Sequence, residues 1–122
     1  MLRFFVRALL HIKKAFFYST DGLNAAFKDE FAFRIEALCS IVALPAAFLI
    51  GHSALERIAL ISSFLLVPII ELINSAVETT LNRIDLEWHP LTKKAKDIGS
   101  AAVMLAIING LFVWILLILP HH

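Results

Sequence analysis

The chain has 122 residues, of which 60% are hydrophobic and 17% charged, with a net charge of +1. That charged share lies below the roughly 25% of ordinary soluble domains, so a water-soluble globule of this size, which could not cover its surface with polar groups, is excluded. The near balance of charge disfavours nucleic acid as a partner, and the single cysteine, Cys39, excludes an intrachain disulfide.

Residues 1–28 read as an amphipathic helix. On a 3.6-residue wheel Arg3, Arg7, His11, Lys14, Tyr18 and Asp21 share one face, and Phe5, Leu9, Ile12 and Phe16 lie opposite. Such a helix lies in a membrane interface rather than crossing it. Ser19, Thr20, Asp21 and Gly22 form a weak break that divides it in two. A cleavable signal peptide is not expected, because Arg7, His11, Lys13 and Lys14 interrupt the apolar run that one requires.

A first span is expected over 31–50, where Arg34 and Glu36 enter and Ala37 to Ile50 carry no charge. Twenty residues rising about 1.5 Å each reach about 30 Å, the thickness of the hydrocarbon core. After a turn at Gly51 and His52, Ser53 and Glu56 form an S-x-x-E capping box that starts a second helix over 54–84. Its length carries the last turns out of the bilayer. A polar loop from Asp85 to Thr92, with Pro90, leads to a third span over 93–119. In that span Gly99, Ala106 and Gly110 form a small-residue stripe suited to close helix packing. The fold class is therefore an all-α membrane protein: a surface helix plus three membrane-spanning helices in one domain.

All lysines and arginines except Arg57 lie at or before Arg34 or between Arg83 and Lys96. By the positive-inside rule the N-terminus and the second loop are cytoplasmic, and the C-terminus is on the opposite side.

The chemistry concentrates on the second helix. Glu71, Asn74, Glu78, Asn82 and Asp85 follow spacings of three or four and so share one face, with Ser75 beside them. The thirteen uncharged residues from Ile58 to Ile70 precede that face, which places its start inside the cytoplasmic leaflet. A charge at the centre of a membrane costs about 2.5–3.5 kcal/mol on insertion scales, so Glu71 and Glu78 should face protein, water or a metal. The plain reading pairs them with Arg83 or other basic groups; the functional reading makes them a cation ligand and a proton acceptor. Asp29, Glu30, Arg34 and Glu36 on the first span, and Lys96, Asp97 and Ser100 on the third, fall at the same level. There is no glycine-rich phosphate loop, so a nucleotide would be held through carboxylates, a metal and lysines.

Two runs, Glu71-Leu72-Ile73-Asn74-Ser75-Ala76-Val77-Glu78 and Ala95-Lys96-Asp97-Ile98-Gly99-Ser100-Ala101-Ala102-Val103, resemble the prokaryotic diacylglycerol kinases. Asn24-Ala25-Ala26-Phe27 and Glu30-Phe31-Ala32-Phe33-Arg34 are similar to the same family's first segment. The resemblance implies a homotrimer with composite active sites in the bacterial inner membrane, transferring the γ-phosphate of Mg-ATP to diacylglycerol to give phosphatidic acid. It implies that Glu71 is the general base, with Asn74 supporting the catalytic face, and that Glu30 and Glu78 hold Mg2+. It sets His11, Tyr18, Glu87, Trp88, His89, Lys96 and Asp97 with those two glutamates at the nucleotide. Ser19, Asn24, Arg34, Glu36, Ser100 and Trp114 go with Glu71 toward the lipid; an apolar or interfacial anchor is the plainer role for Trp114. The resemblance is imperfect at His11, Thr20 and Ile35, where that family's pattern has arginine, tryptophan and glutamine, which bears on substrate preference. Undecaprenol is the alternative acceptor, and a non-enzymatic scaffold or small transporter the alternative class.

Overall fold

In the computed structural model, which describes residues 1–120, the chain forms four α-helices: α1 (Leu2–Asp29), α2 (Phe31–Ile50), α3 (Ala54–Ile84) and α4 (Pro90–Ile118). There is no strand among the described residues. Helices α2, α3 and α4 are each long and apolar enough to cross a membrane, which makes this a multi-pass, all-α membrane architecture. His121 and His122 lie outside the described residues.

α1 is continuous, contrary to the break expected near Ser19. The Ser19 hydroxyl donates to the Ala15 carbonyl at 2.8 Å and the Thr20 hydroxyl to that of Phe17 at 2.8 Å. Both side chains thus fold onto their own helix instead of competing with it. Only Ala26 of α1 is buried, while Phe4, Phe5, Leu9, Ile12 and Phe16 are exposed. An apolar stripe with no protein against it suits a helix lying in lipid headgroups.

The turn between α2 and α3 departs in detail from the expected capping box. Ser53 Oγ accepts from the Glu56 N–H at 3.2 Å, but the Glu56 carboxylate accepts from the His52 N–H at 2.7 Å, one residue further out than a reciprocal box would place it. Either way an orphan donor of the tight turn finds an acceptor.

α4 begins three residues earlier than expected, at Pro90. Proline at the first helical position loses no intrahelical bond and has φ already set. His89 Nδ1 accepts from the Leu91 N–H at 3.1 Å and serves as the N-cap. The loop therefore shortens to 85–89, where Asp85 Oδ1 accepts from the Glu87 N–H at 2.9 Å.

α3 is the central helix and packs against both α2 and α4. Leu60 on α3 and Ala47 on α2 are wholly buried, and Ala106 on α4 nearly so. The small-residue stripe acts within the chain: a side chain at Gly110 would start 3.4 Å from the Ser63 carbonyl. Further along the same contact Trp114 Nε1 donates to the Leu60 carbonyl at 3.1 Å, with its ring edge-on to Phe64. Pro45 and Pro68 sit inside helices that continue through them, a tolerance typical of membrane spans.

Candidate active site

Along α3 the polar stripe changes its surroundings by the turn. Glu71, Asn74 and Ser75 are buried, Glu78 is half-buried, and Asn82 and Asp85 are exposed. A periodicity of three and four residues thus carries one continuous face from the helix contact to the open end of the bundle.

α4 meets this face at a glycine. A Cβ added to Gly99 would overlap Asn74 Oδ1, so the missing side chain lets α4 lie directly over the asparagine. Asn74 Oδ1 is buried with no hydrogen-bond partner, as is Glu36 Oε2 on α2. One turn on, Lys96 Nζ donates to Asn82 Oδ1 at 2.9 Å and ties α4 to α3.

The carboxylates converge. Glu71 lies within electrostatic reach of Glu78 and Glu30, and Glu36 within reach of Glu71. Among the described residues the one ion pair is Lys93 with Asp97, 2.6 Å apart on the exposed face of α4. Pairing of Glu71 or Glu78 with Arg83, the plain sequence reading, is therefore absent. Four carboxylates from three elements, without a basic partner, repel one another in an environment drier than water.

No three His, Cys, Asp or Glu side chains among the described residues form a ready metal cage. Two carboxylates at Glu30 and Glu78 nevertheless supply hard oxygen donors of the type Mg2+ takes, since that ion keeps several waters and completes its shell with substrate phosphates. The donor set fits a cation shared with a nucleotide.

Two concavities flank this cluster. A cleft of about 760 Å3 separates α1 from α3 and is lined by Ser19, Ala26, Glu30, Ser75, Thr79 and Thr80 among others. A second, of about 340 Å3, opens at the 85–89 loop, with Asn82, Glu87, Trp88, His89, Lys96 and Asp97 on its wall. Five of the residues expected at a nucleotide, Glu87, Trp88, His89, Lys96 and Asp97, thus share one hollow, whereas Tyr18 and His11 lie exposed along α1. Of those expected toward a lipid, Ser19 lines the larger cleft, Glu36 faces Glu71, and Asn24 and Ser100 are exposed. Arg34 donates to the Phe27 and Lys28 carbonyls. Trp114 sits against Leu60, eleven residues from Glu71, about 16 Å along the helix, so one chain does not bring them together. Thr79 and Thr80 escaped the sequence reading, because only the placement of α1 reveals that they wall a cleft.

The family model for prokaryotic diacylglycerol kinase matches residues 17–118. The chain belongs to the prokaryotic diacylglycerol kinase family. It is 44% identical over 110 residues to the diacylglycerol kinase of Escherichia coli K12, covering 90% of each chain. To that of Pseudomonas aeruginosa it is 45% identical over 111 residues, covering 91% of this chain and 90% of the relative. The diacylglycerol kinase of Helicobacter pylori J99 is more distant, at 40% over 101 residues, 83% of this chain and 79% of the relative. Kinase chemistry, rather than a scaffold or a transport pathway, is therefore the function of this bundle.

Proposed function

We propose that the chain phosphorylates diacylglycerol with Mg-ATP, giving phosphatidic acid and ADP at the cytoplasmic face of the bacterial inner membrane. The observation that carries this reading is the group of mutually repelling carboxylates around Glu71, with no basic partner, at the end of an apolar helix in a chain of this family. An interfacial position suits a reaction between a water-soluble nucleotide and a membrane-bound alcohol.

In this reading Glu71 accepts the proton of the lipid hydroxyl as its oxygen bonds to the γ-phosphorus, and the bond from that phosphorus to the β,γ-bridging oxygen breaks to release ADP. Burial beside Asn74 and Ser75 keeps water from competing with the lipid for that base. Asn74 supports the catalytic face. Glu30 and Glu78 hold the Mg2+, which when bound neutralises phosphate charge. Lys96, held by Asn82, approaches the phosphates, with Glu87, Trp88, His89 and Asp97 lining the nucleotide hollow and His11 and Tyr18 closing it from α1. Ser19, Asn24, Glu36, Ser100 and Trp114 stand toward the lipid, while Arg34 is turned back onto the Phe27 and Lys28 carbonyls.

A homotrimer with shared sites accompanies this proposal. It draws on the apolar residues that α4 leaves exposed, among them Leu105, Ile108 and Phe112. The excess of basic residues at the N-terminus and around the second loop supports the cytoplasmic orientation.

The deciding experiment gives the purified protein in vesicles Mg-ATP with diacylglycerol or undecaprenol in parallel. Phosphatidic acid should form in preference to undecaprenyl phosphate. Glu71→Ala should abolish turnover without altering the size of the assembly. Full activity in Glu71→Ala would remove the assigned base, and faster phosphorylation of undecaprenol would reassign the acceptor.

A further inference from the structure

The junction between α1 and α2 is a single residue. Glu30 alone stands outside both helices, with extended backbone at φ −108° and ψ 107°. Its N–H donates to the Ala26 carbonyl at 2.8 Å, and its own carbonyl accepts from the Arg34 N–H at 3.1 Å. The Arg34 side chain then reaches back across the junction. Nε donates to the Phe27 carbonyl at 2.8 Å and Nη2 to the Lys28 carbonyl at 2.7 Å, while the guanidinium carbon lies 5.9 Å from the centre of the Phe27 ring.

Those carbonyls belong to the last turn of α1, where a helix leaves its acceptors unpaired and concentrates partial negative charge. A guanidinium can bond two of them at once through its rigid fork, and it can lie against an aromatic ring; a lysine ammonium is a point charge on a flexible stem. Little else fixes this end of α1, whose one buried residue is Ala26.

We infer that Arg34 is a positioning residue that clamps the C-terminus of α1 and so fixes the direction in which Glu30 presents its carboxylate to the Glu71 cluster. This rests on the reading of Glu30 as a cation ligand, and it gives Arg34 a task distinct from contact with the lipid. At a one-residue junction the backbone of Glu30 is tied to both helices, through Ala26 on one side and Arg34 on the other. Where α1 points, Glu30 follows.

The test compares wild type, Arg34→Ala and Arg34→Lys as full chains in vesicles, by three measurements. Amide exchange at 28–31 should accelerate about tenfold in both variants once the cap is lost, while the amides of α3 keep their protection. Binding of Mn2+ in the presence of a non-hydrolysable ATP analogue, read by spin resonance, should weaken about tenfold, as expected when a group that orients a metal ligand is removed. The KM for diacylglycerol should stay within about twofold, and the lysine should not rescue. Exchange at the wild-type rate, faster exchange with unchanged Mn2+ affinity, or rescue by lysine together with a changed lipid KM would each overturn the inference. A wild-type protein without turnover would instead sink the proposed reaction, and the exchange and Mn2+ measurements would still decide the clamp.

Discussion

Asn74 Oδ1 occupies the space into which a side chain at position 99 would grow. The contact joins the polar face of α3 to α4. It also ties the identity of one residue to the absence of a side chain on another.

Gly99→Ala is therefore expected to lower kcat by about one to two orders of magnitude, the scale of ångström-level misplacement near reacting atoms. Stability is a poor guide here, since alanine within a helix gains roughly 0.5–1 kcal/mol over glycine. Gly110→Ala, whose new Cβ would start 3.4 Å from the Ser63 carbonyl, serves as the comparison. Its kcat should remain near wild type in steady-state assays with both substrates saturating.

Glu30→Gln and Glu78→Gln remove one anion each from the cluster around Glu71 while keeping its shape. Each should raise the free Mg2+ needed for half-maximal rate on the order of tenfold. Titrating Mg2+ at fixed ATP measures this directly. An unchanged requirement would return both residues to a structural role.

Asn82→Ala unties Lys96, whose amine donates to Asn82 Oδ1 at 2.9 Å. If Lys96 faces the nucleotide as proposed, loss of a bond of about 1 kcal/mol that holds it should raise the KM for Mg-ATP about fivefold and leave that for diacylglycerol unchanged. A rise in the lipid KM instead would move Lys96 away from the nucleotide.

Trp114→Phe keeps the ring against Phe64 but loses the bond to the Leu60 carbonyl. A loss of about 0.6–1.5 kcal/mol is expected, the range of such bonds between membrane helices. Reversible unfolding in mixed detergent micelles measures it. If Trp114 anchors α4 rather than touching substrate, lipid KM will not change.

These expectations divide along the line between local and distant interactions. The stripe from Glu71 to Asp85, the S-x-x-E start at Ser53 and the length of each apolar run were legible because each depends on residues within one or two turns. The unbroken course of α1 was not, since hydroxyls at Ser19 and Thr20 are equally suited to ending a helix or bonding back onto it. The early start of α4 turned on His89 acting as a cap, a local role its side chain does not announce in the sequence. The backbone bonds of Arg34 and Trp114 were hidden for a different reason. Their carbonyl partners, Phe27, Lys28 and Leu60, are backbone groups that any residue could supply, and the bond from Trp114 joins positions 54 apart. Gly99 was legible as part of a packing stripe, but not as the neighbour of Asn74.

The single-residue junction at Glu30 makes chain length at that point as consequential as chemistry. A residue added to or removed from the helical turn on either side of it would shift the phase of α1 by about 100° relative to α2. His11, Tyr18 and the basic face would then be out of phase with the carboxylates, with every side chain still present. Relatives with the same reaction should thus keep the count of residues between Phe27 and Arg34 fixed.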